Sequence, residues 1–115
     1  MNENQEQAVT RLSELLAEFD AVARDERKDE SLKVWGDKYT TAKGREAEIM
    51  AETTSLAVDA VRDDNNKLAA VLLTTLKNIF EGNAVIYTSR PRTEKKEEQR
   101  YRGYSQKAAE VMKLL

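Results

Sequence analysis

Apolar side chains recur through the first 28 residues at Ala8, Leu12, Leu15, Leu16, Phe19, Val22 and Ala23, the i, i+3, i+4, i+7 rhythm of one helix face. The spacing predicts a helix over roughly 4–28, with Glu14, Glu18, Asp20, Arg24 and Arg27 on its solvated side. Val9, Leu12, Leu16, Phe19 and Ala23 also step by three and four. Leu12, Leu16 and Phe19 are therefore candidates for a coiled-coil seam with a second copy of the chain.

A charged junction, DERKDES (25–31), separates this stripe from a second series at Leu32, Trp35, Tyr39, Ala42, Ile49, Thr53, Leu56 and Ala60, interrupted at Glu46. An unbroken helix over 32–62 would be about 46 Å long at 1.5 Å per residue. A compact domain of this size has a radius of gyration of only about 13 Å. A break near Gly36, with continuous helix from about Lys38, relieves the mismatch, and so does cover from another subunit.

The stretch RDDNNK (62–67) reads as a stop and a restart, because Asp63, Asp64 and Asn65 carry side-chain oxygens suited to cap a new helix. The third helix, over 65–81, is expected to bury Leu68, Val71, Leu72, Leu76, Ile79 and Phe80. Gly82 fits the left-handed position that closes it. NAVIYTSRP (83–91) has β character but no partner strand, so it is expected to be an extended connector. Thr93 then caps a last helix over 93–114, whose stripe runs Tyr101, Tyr104, Ala108, Val111 and Leu115. The fold class is all-α: about four helices in one domain (1–115), a long antiparallel bundle or a set of helical hairpins. Helices 1 and 2 carry more apolar stripe than one small core covers, which favours a homo-oligomer.

Composition narrows the chemistry. Cysteine and histidine are both absent, which removes thiolate nucleophiles, disulfides, imidazole bases and the usual zinc sites. The polar, acidic start is unlike a secretory signal, and LAAVLLTTLKNIF (68–80) is too short to span a bilayer. The expectation is a cytoplasmic protein with no membrane association. Tyr39 and Lys43 share a spacing used by some dehydrogenases, but no glycine-rich nucleotide fingerprint accompanies them. DDNN fails as a calcium loop because Lys67 and Leu68 occupy the fifth and sixth places. Acid pairs such as Glu46/Asp59 and Glu94/Glu98 fall on polar helix sides rather than in an apolar cleft. No enzyme and no cofactor is expected.

Charge is unevenly placed. Residues 1–30 hold nine acidic and four basic side chains, whereas 90–115 hold eight basic and four acidic. The basic end includes RPRTEKKEEQRYRGY (90–104), where Arg90, Arg92, Arg100 and Arg102 could meet an acidic protein surface. Trp35 and Tyr39, beside Gly36, form an aromatic pair suited to a partner contact or to the end of the core. The functional expectation is a small oligomeric adaptor or inhibitor that occupies a surface of a larger protein, as phage and mobile-element accessory factors do. Two alternatives remain: nucleic acid on the 90–102 patch, with Tyr101 and Tyr104 stacking on bases, and a small anionic ligand clamped between subunits by Arg90 and Arg92. The overall net charge of −2 weighs against the first.

Overall fold

The computed structural model describes residues 1–27, 42–88 and 95–115. Four α-helices account for nearly all of them: α1 (Glu3–Arg27), α2 (Ala42–Arg62), α3 (Asn66–Thr88) and α4 (Lys95–Lys113). No strand occurs among the described residues. Gly36, Lys38, Trp35, Tyr39, Arg90, Arg92 and Thr93, with the 32–41 part of the second predicted helix, lie outside the described residues. None of the described helices is long and apolar enough to cross a membrane.

The chain runs up, down, up and down. Gln5 at the start of α1 reaches Asp64 at the α2–α3 turn, so α1 and α2 are antiparallel. Tyr104 meets Glu18 while Glu110 meets Arg11, which sets α4 antiparallel to α1. α1 packs chiefly on α2 and α4 on α3, with α2 against α3 and a slim α1–α4 contact closing the ring. The radius of gyration, 15.3 Å, marks a bundle longer than it is thick.

The end of the bundle where α1 begins and α2 turns into α3 is tied by polar side chains. Asn2 Oδ1 accepts from the Gln5 N–H at 2.8 Å and Gln5 Oε1 accepts from the Asn2 N–H at 2.9 Å, a reciprocal capping box that opens α1. The Gln5 amide then donates to Asp64 Oδ1 at 2.6 Å and Asn66 Oδ1 at 3.2 Å. That second use is why a glutamine sits buried there. α2 stops in a Schellman motif: the Asn65 N–H bonds the Ala60 carbonyl and the Asp64 N–H bonds that of Val61. Asp64 takes the left-handed conformation, φ 58°, that this motif requires. Asn65 finishes one helix and caps the next, its Oδ1 accepting from the Leu68 N–H.

The core is a continuous stack. Leu12 and Phe19 from α1, Val61 from α2, Leu73, Leu76 and Phe80 from α3, and Val111 from α4 are all fully buried. Leu12 and Phe19, the sequence candidates for an inter-subunit seam, are thus used up inside one chain, and only Leu16 keeps a partly open side.

Three sequence expectations are corrected. First, α3 does not end at Gly82. It continues through Ala84, which is buried, and Tyr87, which stacks on Tyr101 at 5.8 Å, so packing overrides the β propensity of 83–88. Second, the buried line of α3 is Ala69, Leu73, Leu76, Phe80 and Ala84, while Leu68 and Val71 are exposed. Third, α2 faces inward with Ala47, Met50, Ala51, Thr54, Ala57, Val58 and Val61, leaving Ile49 and Leu56 in solvent. α2 thus turns its alanine-rich side, with Met50, Val58 and Val61, to the core and leaves Ile49 and Leu56 outward.

Candidate interaction surfaces

The described part of the basic stretch, 95–104, contributes to the core. Tyr101 and Tyr104 are buried, as their places in the apolar stripe imply. Tyr104 packs edge-on to Phe19 at 5.1 Å and against Phe80 at 5.4 Å, joining α4 to α1 and α3 through one ring. Both phenols point to carboxylates at the rim of the core. Tyr104 donates to Glu18 Oε1 at 2.7 Å, and Tyr101 donates to Glu46. Asn83 Nδ2 also donates to Glu46, at 2.9 Å, so this carboxylate ties α2, α3 and α4 together. Glu46, the interruption in the second apolar series, is therefore the acceptor for a buried tyrosine. Burial, reinforced by the neighbouring carboxylate, pushes both phenol pKa values well above the usual tyrosine range. Both phenols are neutral donors at any physiological pH. Base stacking by these rings would require them to leave the core.

The arginines of the same stretch separate into those tied to α4 and those beyond description. Arg100 is half-buried, ion-paired with Glu97, with its guanidinium carbon 5.5 Å from the Tyr101 ring centroid. Its Nε is buried and has no hydrogen-bond partner among the described residues. Arg102 is exposed but reaches Glu98 at 3.0 Å and the Thr88 hydroxyl at 3.2 Å. The Thr88 hydroxyl and then the Arg102 guanidinium hold the Glu98 carboxyl below the usual carboxylate range. The two described arginines of the patch are each paired one helical turn away on their own helix.

Two other features were not read from the sequence. A shallow open cleft of about 620 Å³ lies between α1 and α2, floored by Leu16, Ala23 and Ala51 and edged by Asp20, Arg24, Glu48 and Glu52. Among the described residues, no group of acidic side chains is gathered closely enough to hold a metal ion. The second feature is apolar. Apart from Met1, every large hydrophobic side chain exposed among the described residues lies on α2 or α3: Ile49, Leu56, Leu68, Val71, Val85 and Ile86. Ile49 and Leu56 are 52% and 50% exposed and Val71 is 61% exposed, whereas α1 and α4 show solvent chiefly charged and polar residues. The sequence signal was present: α2 carries two apolar stripes and α3 is apolar on most of its surface. One chain buries only one stripe of each.

No family model, curated protein or solved structure matches this chain.

Proposed function

We propose that the protein is a non-enzymatic protein-binding module, a small adaptor or inhibitor that makes a protein contact through the outer face of the α2–α3 hairpin. The observation that carries this reading is the concentration of exposed aliphatic side chains on two adjacent helices. A large exposed apolar patch on a soluble domain commonly marks a protein contact. Ile49, Leu56 and Leu68 supply one beside the α2–α3 junction, with Val85 apart from it in a cleft shared with α4. The described residues gather no group of acidic side chains that could hold a metal ion, and the cleft between α1 and α2 is shallow and edged by mixed charge. The nucleic-acid reading rests on the 90–102 patch, whose two described arginines, Arg100 and Arg102, already hold glutamates.

Photo-crosslinking in native lysate tests the reading. Leu56→p-benzoylphenylalanine places the probe on the apolar face, and Gln7→p-benzoylphenylalanine places it on the exposed side of α1. Discrete protein adducts are expected from position 56 and not from position 7. Equal labelling at both positions, or labelling at neither, contradicts the proposal.

A further inference from the structure

We infer that the occupant of the α2–α3 face is a second copy of this chain, related by a two-fold axis parallel to the helices. The inference rests on the binding reading above and assigns its partner.

The face can be traced from a single hydrogen bond. Asn83 of α3 donates to Glu46 of α2, so these two positions lie on the line where the helices meet. One and two turns along α2 from Glu46 stand Ile49 and Thr53, then Leu56. Back along α3 from Asn83 stand Ile79, Thr75, Leu72 and Leu68. Leu72 and Ile79 rest half-buried against the core at this junction, while Ile49, Leu56 and Leu68 stand open beside them. Past Glu46 and Asn83, none of these positions carries an ionisable side chain.

Its size suits a self-contact. Two helices of 21 and 23 residues lie side by side there. Such a pair presents a surface roughly 30 Å long and about 20 Å wide, from 1.5 Å of rise per residue and axes 8–10 Å apart. That footprint, on the order of 600 Å² before side-chain relief is counted, approaches the ~800 Å² per partner of a stable protein interface. Stacking two such strips makes a second four-helix layer, with α2 of each copy over α3 of the other.

Charge at the rims selects this arrangement. The α2 rim carries Glu48, Glu52 and Asp59 against one cation, Arg45, while the α3 rim carries Lys67, Asn78 and Val71. An axis across the helices would lay the acidic α2 rims against each other. An axis along them preserves height, and Asp59 and Lys67 stand at nearly the same height, three residues before the end of α2 and one after the start of α3. Asp59 therefore meets Lys67 of the second copy twice, once on each side. The acidic α2 rims also disfavour an anionic lipid surface as the occupant.

The test is the solution mass of the purified chain by light scattering at micromolar concentration, with circular dichroism reporting the fold. Wild type is expected at twice its 13.1 kDa chain mass. Leu56→Glu with Leu68→Glu is expected to give a helical monomer, both side chains being half open in the single chain. D59K and K67D are each expected to weaken self-association roughly tenfold, since every reversal sets two like-charged pairs at the rim. Combining D59K with K67D in one chain, or mixing the two single variants, is expected to restore it. A monomeric wild type, or a dimer untouched by the paired glutamates, overturns the inference. Failure of the double reversal to restore association overturns the two-fold geometry. A monomeric chain whose position-56 probe still labels other proteins overturns the self-contact and leaves the binding reading standing.

Discussion

At Tyr101 and Tyr104, burial and a carboxylate acceptor act in the same direction, holding the proton on each phenol. The linkage to stability has a definite sign. A folded-state pKa above the unfolded value near 10 leaves stability intact below that pH. Stability then falls as pH rises through the folded value, because the unfolded chain releases protons that the folded one keeps. Of the four tyrosines, these two should ionise only as the helices melt, seen as tyrosinate absorbance rising together with loss of the helical signal. Early ionisation of all four in a still-helical protein would contradict their burial. Tyr101→Phe removes one donor to Glu46 and leaves only Asn83, and should cost about 1–2 kcal/mol in denaturant unfolding at neutral pH. A second residue-scale test lies at Gln5, whose side chain serves the capping box and the α2–α3 turn together. Gln5→Ala should cost about 1–2 kcal/mol, more than an isolated exposed cap is worth.

Among the elements, α3 separates local preference from tertiary control most cleanly. Gly82 sits within it, and a Cβ added there meets nothing within 4 Å. Gly82→Ala should therefore raise stability by up to about 1 kcal/mol, read as a higher melting temperature. If Gly82 held the left-handed closing position that its sequence context suggests, the same change would be destabilising. The number of helices, the stripe of α1, the restart at Asn65 and the buried face of α4 were legible because each rests on local spacing or local hydrogen bonding. The far end of α3 was not, since Val85, Ile86 and Tyr87 favour strand by themselves and tertiary packing, including Tyr87 on Tyr101 fourteen residues on, holds them in a helix. The phase of α2 was hidden for a different reason. Ile49 and Leu56 suggest one buried side, but the side that faces the core carries Ala47, Ala51 and Ala57 with Met50, Val58 and Val61. The same misreading concealed the candidate surface: residues assigned to the interior on size are the ones left open. Leu12 and Phe19 were read as a seam, and they pack within the chain instead, because one copy already supplies helices on both sides of α1.

For the whole molecule, the division of labour is between an inner and an outer use of the central hairpin. α1 and α4 flank the core and carry charge to solvent, while α2 and α3 carry an aliphatic strip that borders their buried lines, with Leu72 and Ile79 packed partly against the core. The chain's three isoleucines, Ile49, Ile79 and Ile86, all belong to this hairpin, and in the single chain Ile49 and Ile86 are about half exposed. Their methyl groups report directly on whether the face is covered in solution. The measurement is paramagnetic relaxation of isoleucine methyl NMR signals by a soluble, uncharged gadolinium chelate. Ile49 in the wild-type protein is expected to be shielded as well as Ile79, and to become accessible in the chain carrying Leu56→Glu and Leu68→Glu. An Ile49 methyl in wild type that relaxes as fast as it does in that variant would show an uncovered face, and would contradict the assignment of the α2–α3 surface to protein contact with a second copy.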